Sequence, residues 1–333
     1  MIITKTPYRI SLFGGGTDHP NWYHEFGGEV VSAAIDKYCY LTSRVLPPFF
    51  GHRYRVAYSQ IETVRRIEEI KHPAVRAGIN KFASDLSLEI QHHGDLPARS
   101  GVGSSSAFAV GLIHSLKLLK GINTNKKDLA LEAIELEQFD LQENVGSQDQ
   151  IACAYGGFNH IKFETDGNWQ IKPIKIDKNR LSEIESRMVL IYSGVERTSS
   201  DIQQTLVDNF KSKKLELLRT QELAKESIAL IQSNADLNLI GEMLDESWRL
   251  KKSANPKSVS IELEDLKNLA HKSGALGGKI LGAGGGGFCL FWVSPDRRQS
   301  FIEKMSSVLY VPTRISVEGS TCILDSSNNL DGF

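Results

Sequence analysis

The sequence has no surplus of charge, no paired cysteines and no long apolar run, and each shortage removes a class of function. Its 39 Lys and Arg offset 40 Asp and Glu, for a net charge of −1. That balance lacks the long-range attraction of a general nucleic-acid binder, although it leaves room for a local basic pocket. Cys39, Cys153, Cys289 and Cys322 lie far apart and form no CxxC. Neither a disulfide framework nor a structural zinc site is expected, and the four read as buried free thiols in a reducing compartment. The N-terminus MIITKTPYRISLFGGG lacks a basic stretch leading into an apolar run. The apolar runs Val30–Ile35 and Phe288–Val293 fall far short of the ~20 residues a membrane helix needs. A cytoplasmic protein with no membrane span is expected, and no repeat or low-complexity tract is evident.

What is present is an ordinary globular composition with an uneven distribution of glycine. At 333 residues the chain is about twice the ~150-residue norm for one domain, so two packed domains are expected. Eight of the 28 glycines fall within Gly274–Gly287, and Gly14, Gly15 and Gly16 are consecutive. Such clusters mark backbone that something approaches closely.

The first third reads as strands at Ile2–Ile3, Ile10–Phe13, Val30–Ile35 and Tyr38–Val45. Phe108, Leu112, Leu116 and Leu119 recur at helical spacing, which predicts a helix from Ser104 to about Gly121. A second helix is expected over Lys126–Asp140, and strands within Gly156–Ile176. Residues 199–253 are strongly helical, with Leu206, Phe210, Leu217, Leu218, Ile228, Ile231, Leu239 and Leu244 as core candidates. The remainder predicts helices at Ile261–Lys272 and Asp296–Val308. Strands are expected at Gly278–Leu281, Phe288–Val293, Arg314–Val317 and Thr321–Leu324. The polar interval Asp177–Arg187 marks the boundary, giving units 1–180 and 181–333. His92-His93-Gly94-Asp95 reads as a turn, since adjacent histidines on a strand would point to opposite faces. Asn255–Ser260 reads as a polar turn of no assigned role.

Three glycine-bearing segments compete for a phosphate-binding role. Gly282-Ala-Gly-Gly-Gly-Gly287 matches GxGxxG, but that fingerprint opens a helix, and here a strand follows. It reads as a turn between strands. Gly278-Lys279 lacks the following Ser or Thr of a Walker loop, and position 273 is Ser. Leu96-Pro-Ala-Arg-Ser-Gly-Val-Gly-Ser-Ser-Ser-Ala107 leads straight into the helical pattern. The unpaired amide groups and dipole of that helix start form an anion site, and glycine admits a phosphate to the backbone. The plainer reading is an over-endowed Ser cap, which needs only one hydroxyl. A nucleophile elbow at Ser105 fails because Ala107 replaces the second glycine of GxSxG and no partner His is evident.

Pro7-Tyr-Arg-Ile-Ser-Leu-Phe-Gly14, Leu96–Ala107 and Gly282–Phe288 together resemble, in order, the three motifs of the GHMP small-molecule kinases. The resemblance spans most of the chain. It implies an α+β fold of two domains, one like ribosomal protein S5 and a ferredoxin-like C-terminal one, with ATP in the cleft between. Gly27–Val31, Ile35–Tyr38, Gly146–Gln150 and Gly157–Asn159 resemble a branch acting on the anomeric C1 hydroxyl of a heptose that already carries a phosphate. A C1 kinase of fucose or galactose, and a non-catalytic sugar-binding regulator of the same fold, are the alternatives.

The resemblance also implies roles for individual residues. Gly101, Val102, Gly103, Ser104, Ser105, Ser106 and Ala107, with Gly284 and Gly285, would wrap ATP. Ser105 and Glu137 would hold Mg²⁺, a cation suited to few protein ligands plus phosphate oxygens, with Ser106 and Ser104 as the other hydroxyls open to it. Read from the residues alone, Glu137 lies on a solvated helix face among Glu132 and Glu135. Asp149 would be base or orienter toward the sugar hydroxyl, with Arg9 its partner and facing the transferred phosphoryl group. Gly15, Gly16, Thr17 and Asp18 would bind sugar; Gly15 and Gly16 stand where galactokinase, a family member, has Glu and His, which enlarges the pocket. Arg197 is the candidate for the sugar's own phosphate, with Lys37, His19 and Arg99 as alternatives. The expected partners are ATP and a small sugar phosphate, not nucleic acid or membrane, and a homodimer is left open.

Overall fold

The computed structural model describes residues 1–195 and 212–326, and Leu206, Phe210 and Arg197 lie outside them. In chain order the elements begin with β1 Ile2–Phe13, α1 Pro20–Phe26, β2 Gly28–Val45, β3 Tyr54–Ala57 and β4 Ile61–Val64. Then come α2 Pro73–Phe82, β5 Leu88–Gly94, α3 Ser104–Leu119, α4 Lys126–Glu135 and α5 Gln148–Tyr155. They are followed by β6 Phe158–Phe163, β7 Trp169–Pro173, α6 Lys178–Arg187 and β8 Met188–Tyr192. The rest are α7 Lys214–Gln232, α8 Asn238–Ala254, α9 Ile261–Ser273, β9 Ala275–Ile280, β10 Phe288–Val293, α10 Arg298–Lys304, β11 Leu309–Val311 and β12 Thr321–Asp325.

The two early strand pairs of the sequence reading are each one long strand. Buried Thr4, Thr6 and Arg9 interrupt the apolar alternation of β1 without interrupting its pairing, and a register shift beside Pro7 absorbs the proline. The first sheet runs β12-β1-β2-β5-β3-β4, with β6 and β7 attached along β2. Helices α3 and α5 pack on β1 and β2. The second sheet has the order β11-β8-β10-β9, all antiparallel. With helices joining β8 to β9 and β10 to β11, this is the ferredoxin-like arrangement.

β10 is buried at every position because both faces are covered. Phe288, Leu290 and Trp292 face the large core shared with the first sheet, while Cys289, Phe291 and Val293 face a second cluster with Leu263 and Phe301. The halves therefore pack through one continuous apolar core.

Several expectations are corrected. The unit 181–333 is not contiguous, because Ile315 bridges Ile35 and β12 pairs with β1 in the first sheet. Arg314–Val317 contributes only that bridge, and α10 is shorter than Asp296–Val308, leaving room for β11. His92 and His93 lie in β5, not a turn, paired to Leu41 and Tyr40. Leu239 is exposed because Ile240, Gly241 and Leu244 form the buried stripe of α8. Cys39, Cys153 and Cys289 are buried free thiols, but Cys322 is only half-buried. Among the described residues no helix is long and apolar enough to cross a membrane.

Candidate active site

The site begins where β1 passes beneath the loop before α3. Arg9 is 3% exposed, and its backbone N–H donates to Val102 O at 3.0 Å. Its guanidinium reaches three ways: Nη1 to Gly101 O at 2.6 Å, Nε to Asp149 Oδ1 at 2.6 Å and Nη2 to Asp149 Oδ2 at 2.5 Å. The fork-to-fork pair fixes the carboxylate in direction as well as charge. Burial would lower the guanidinium's pKa, but the Asp149 carboxylate more than offsets it, so Arg9 lies above its ordinary value. Asp149 opens α5 and stays partly exposed, which leaves it available to a bound hydroxyl.

Residues 101–107 form the helix start that the sequence suggested. Gly103 caps α3 in the left-handed conformation, and Ser104, Ser105 and Ser106 supply its first turn. Not all of the stretch faces outward. Val102 is fully buried, and the Ala107 amide is already committed to Gly103 O at 2.8 Å. Ser104 Oγ accepts from the Arg99 amide at 3.0 Å. The Gly282–Gly287 turn closes over this loop: a methyl on Gly282 would meet Gly101 Cα at 2.5 Å, and the Phe288 amide bonds Ser100 O. Only glycine permits that backbone-to-backbone approach. Asn255–Ser260 gains a role, since its Ser258 O accepts from the Gly285 amide and flanks Gly284. The Gly285 amide is thus already bonded within the fold.

The expected helix through Asp140 stops at Glu135 and continues as a π-helical turn, Leu136–Asp140. Such turns concentrate at functional positions. This one rotates Glu137 inward to 1% exposure, so the solvated-face reading is corrected. Glu137 accepts from Ser106 Oγ at 2.6 Å and from Gln150 Nε2. The hydroxyl beside Glu137 is therefore that of Ser106, while Ser105 is exposed on the same turn. A helix carries residues one apart to faces about 100° apart, so only one of the two can meet Glu137. Burial, with Glu143 and Asp149 adding to it against the two hydrogen bonds, pushes the Glu137 carboxyl up to about 7.

The opposite wall is the Gly14–Asp18 loop. Asp18 is 3% exposed; its Oδ1 accepts from the Gly16 amide at 2.9 Å and its Oδ2 from the Gln148 amide at 3.3 Å. Gly146 makes that possible, because a methyl there would sit 1.9 Å from Asp18 Oδ2. Thr17 does not face the cleft. Its hydroxyl is fully buried and bonds Gly14 O and the Glu29 backbone, so it shapes the loop. Gly15 is exposed and Gly16 half-buried, as an open wall requires.

Beside Gly15 lie two groups that the sequence reading missed, Ser11 and Gln148. Ser11 Oγ and Gln148 Oε1 are buried without a partner among the described residues. Their unmet hydrogen bonding suits a polyhydroxylated ligand. The alternatives for a second phosphate scatter: Lys37 is held by Asp36, His19 is buried near Asp18 and Asp149, and Arg99 is exposed in the loop before α3. Burial lowers the pKa of His19.

Residues 65–157 match the model for the GHMP kinases N terminal domain, and residues 225–311 that for the GHMP kinases C terminal. The chain is 30% identical, over 91% of its length and 93% of the relative's, to D-glycero-alpha-D-manno-heptose 7-phosphate kinase of Campylobacter jejuni. It is 25% identical to a bifunctional fucokinase/GDP-fucose pyrophosphorylase of Arabidopsis thaliana, over 86% of this chain but 29% of that one. The fold superposes on a D-glycero-D-manno-heptose 1-phosphate kinase of Bacteroides thetaiotaomicron with a TM-score of 0.79 at 23% identity, covering 98% of this chain and 99% of that one. A helix-capped anion loop, an Arg–Asp pair beneath it and full-length likeness converge on one conclusion: the chain belongs to the GHMP kinase family and is a sugar kinase, a phosphotransferase.

Proposed function

We propose that the protein transfers the terminal phosphoryl group of ATP to the anomeric C1 hydroxyl of D-glycero-α-D-manno-heptose 7-phosphate. The product would be the 1,7-bisphosphate used to make nucleotide-activated heptose. The observation that carries the reading is the bidentate Arg9–Asp149 pair bonded to Gly101 of the phosphate loop. It is joined by the 30% identity to a kinase of that substrate.

In this reading the amides at the start of α3 bind the triphosphate, and Arg9 faces the transferred group. Asp149 accepts or orients the proton of the attacking hydroxyl. Transfer needs alignment and neutralisation of charge more than covalent help. Magnesium fits the Ser106 hydroxyl and the buried Glu137 carboxyl, because one or two protein oxygens plus phosphate oxygens are its usual set. When bound, it would neutralise charge on the phosphates. Asp18, Gly15, Gly16, Ser11 and Gln148 form the sugar wall. Arg197 remains the proposed contact for the sugar's own phosphate.

The likeness to a fucokinase supports a second reading, a C1 kinase of fucose. ADP release measured across heptose 7-phosphate, unphosphorylated heptose, fucose and galactose separates them, with phosphorus NMR locating the new ester. Turnover with heptose 7-phosphate at least about tenfold above every other sugar in kcat/KM is expected. Equal or better turnover of a free sugar would overturn the assignment.

A further inference from the structure

Two amines bonded to the backbone beside the glycine loops of the site are unused by the transfer machinery above. Lys251 lies on α8 and Lys279 on β9, both from the second half of the chain. Lys279 is 7% exposed, and its Nζ donates to Leu12 O of β1 at 2.9 Å. Lys251 Nζ donates to Gly282 O and, at 3.4 Å, to Ile280 O. An ammonium has three N–H donors. Even with Lys279 as a neutral amine, which has two, the pair has more donors than its three carbonyl acceptors, and among the described residues neither amine forms an ion pair.

The acceptors locate the pair. Leu12 leads into the Gly14–Gly16 wall, and Gly282 touches Gly101 of the phosphate loop, whose carbonyl holds Arg9. The amines thus lie between the nucleotide side and the sugar side. Burial, the charge of Lys251 and the nearby Arg9 hold Lys279 well below the ordinary amine value; burial and Arg9 bring Lys251 to about 8. Asp18 acts on Lys279 in the opposite direction, and Cys289 on Lys251. Charging these amines with no carboxylate bonded to them is costly, and an anion placed beside them would restore the ammonium form.

We propose that Lys251 and Lys279 form a binding subsite for a phosphate dianion, the group that both co-substrates of the proposed reaction carry. The subsite rests on the kinase reading and adds to it two contacts that the motifs do not contain. An ammonium suits this position, since it meets phosphate as a point charge with three donors.

The plainer role is a stitch, with each amine tying the halves together through carbonyls. The two roles differ in sign. A stitch stabilises the empty protein, whereas an amine held short of partners for an anion does not, and replacing it with a neutral chain of similar length leaves that stability unchanged or higher. The test uses the full chain carrying Lys279→Met or Lys251→Met, each compared with wild type by thermal melting with and without inorganic phosphate.

The response to phosphate decides. Met variants are expected to melt no lower than wild type without ligand and to lose most of the stabilisation by phosphate, with Lys→Arg recovering part of it. In ADP-release kinetics, KM should rise about tenfold or more for the co-substrate whose phosphate docks there and stay within about twofold for the other. A rise for the sugar phosphate assigns the subsite to the acceptor, and a rise for ATP assigns it to the nucleotide. Met variants that melt lower, keep the wild-type response to phosphate and keep both KM values make the amines stitches and overturn the proposal. Should a Met variant fail to fold, Lys→Gln is read in the same way. A wild type that releases no ADP from any sugar would overturn the kinase reading instead, while the phosphate response would still test the subsite.

Discussion

Replacing Asp149 by Asn removes a charge from the site while keeping its shape. Arg9 then retains its bond to Gly101 O but loses the carboxylate that receives both Nε and Nη2. Breaking a buried pair from one side costs roughly 3–5 kcal/mol. Asp149 is 24% exposed against 3% for Arg9, so water offsets part of the loss, and about 3 kcal/mol is the expected cost. At about 2 cal/mol/K of unfolding entropy per residue, 333 residues give roughly 0.7 kcal/mol/K, and the melting temperature should fall by about 4 °C. Turnover should fall at least 10²- to 10⁴-fold, the usual range for a positioned acid or base, with the nucleotide Kd nearly unchanged. Scanning calorimetry, coupled ADP release and nucleotide titration read the three quantities. Adding Arg9→Met to Asp149→Asn should recover most of the lost stability but none of the activity, because it removes the orphaned charge. An Asn variant that keeps most of its kcat refutes the role of Asp149 in transfer. One that melts like wild type refutes the charge argument.

Glu137→Gln tests the π-helical turn through pH. The native carboxyl titrates near 7 and the unfolded one near 4.5, so between these values the native state holds a proton that the unfolded state has lost. In metal-free buffer that term makes wild-type stability decline by up to about 3 kcal/mol as pH rises from 4.5 through 7, and the Gln variant lacks it. Urea unfolding at pH 5 and pH 8 should show Gln gaining on wild type at the higher pH, and an equal difference at both would refute the assignment. Ser106→Ala should raise the Mg²⁺ concentration needed for half-maximal ADP release more than Ser105→Ala does; the reverse order would return the metal position to Ser105. Gly146→Ala puts a methyl against Asp18, and at the usual overpacking cost of ~1–3 kcal/mol it should raise the sugar KM about tenfold or more. An unchanged KM would remove Asp18 from the sugar wall.

Much of the fold was legible because backbone chemistry announces itself. The helix from Ser104 and the strand Phe288–Val293 begin where the sequence places them, since glycines and hydroxyls mark one start and a glycine turn the other. The rejection of Gly282–Gly287 as a dinucleotide loop stands, because β10 and not a helix follows it. What stayed hidden depended on partners distant in sequence. Thr4, Thr6 and Arg9 look unsuited to a buried strand until Gly111, Ser320 and Asp149 are placed opposite them. The inward turn of Glu137 has no local signal, for α4 has a regular helical pattern, and only Ser106 and Gln150 across the gap explain it. Thr17 shows the converse: its place in the Gly14–Asp18 loop is legible, but its bonds to Gly14 and Glu29 are not. Lys251 and Lys279 belong to no spacing pattern, and a lysine in a helix or strand reads as surface until the fold buries it, as with Lys279, or half-buries it, as with Lys251.

The near-neutral composition conceals a cleft whose charges do not cancel in place. Among the described residues around the Arg9–Asp149 pair, Arg9, Lys251 and Lys279 are basic and Asp18, Asp149 and Glu137 acidic, and of these six only Arg9 and Asp149 form an ion pair with one another. Asp18 spends its oxygens on amides, Glu137 on a hydroxyl and an amide side chain, and the two lysines on carbonyls. Acids and amines are thus held apart, the acids by the first half of the chain and the amines by the second, each in contact with groups that bind charge without neutralising it. Such an arrangement costs stability in the empty protein, and a phosphate between the halves recovers it. Ligand binding and the stability of the native state are then linked, because an anion is the partner that the lysines lack. At a hundredfold excess over its Kd a ligand stabilises the native state by about 2.7 kcal/mol. The co-substrate whose phosphate docks at the lysines should therefore raise the melting temperature of wild type by more than that of Lys279→Met, while the other raises both alike. Equal rises in both proteins for each co-substrate would mean that neither phosphate meets the lysines.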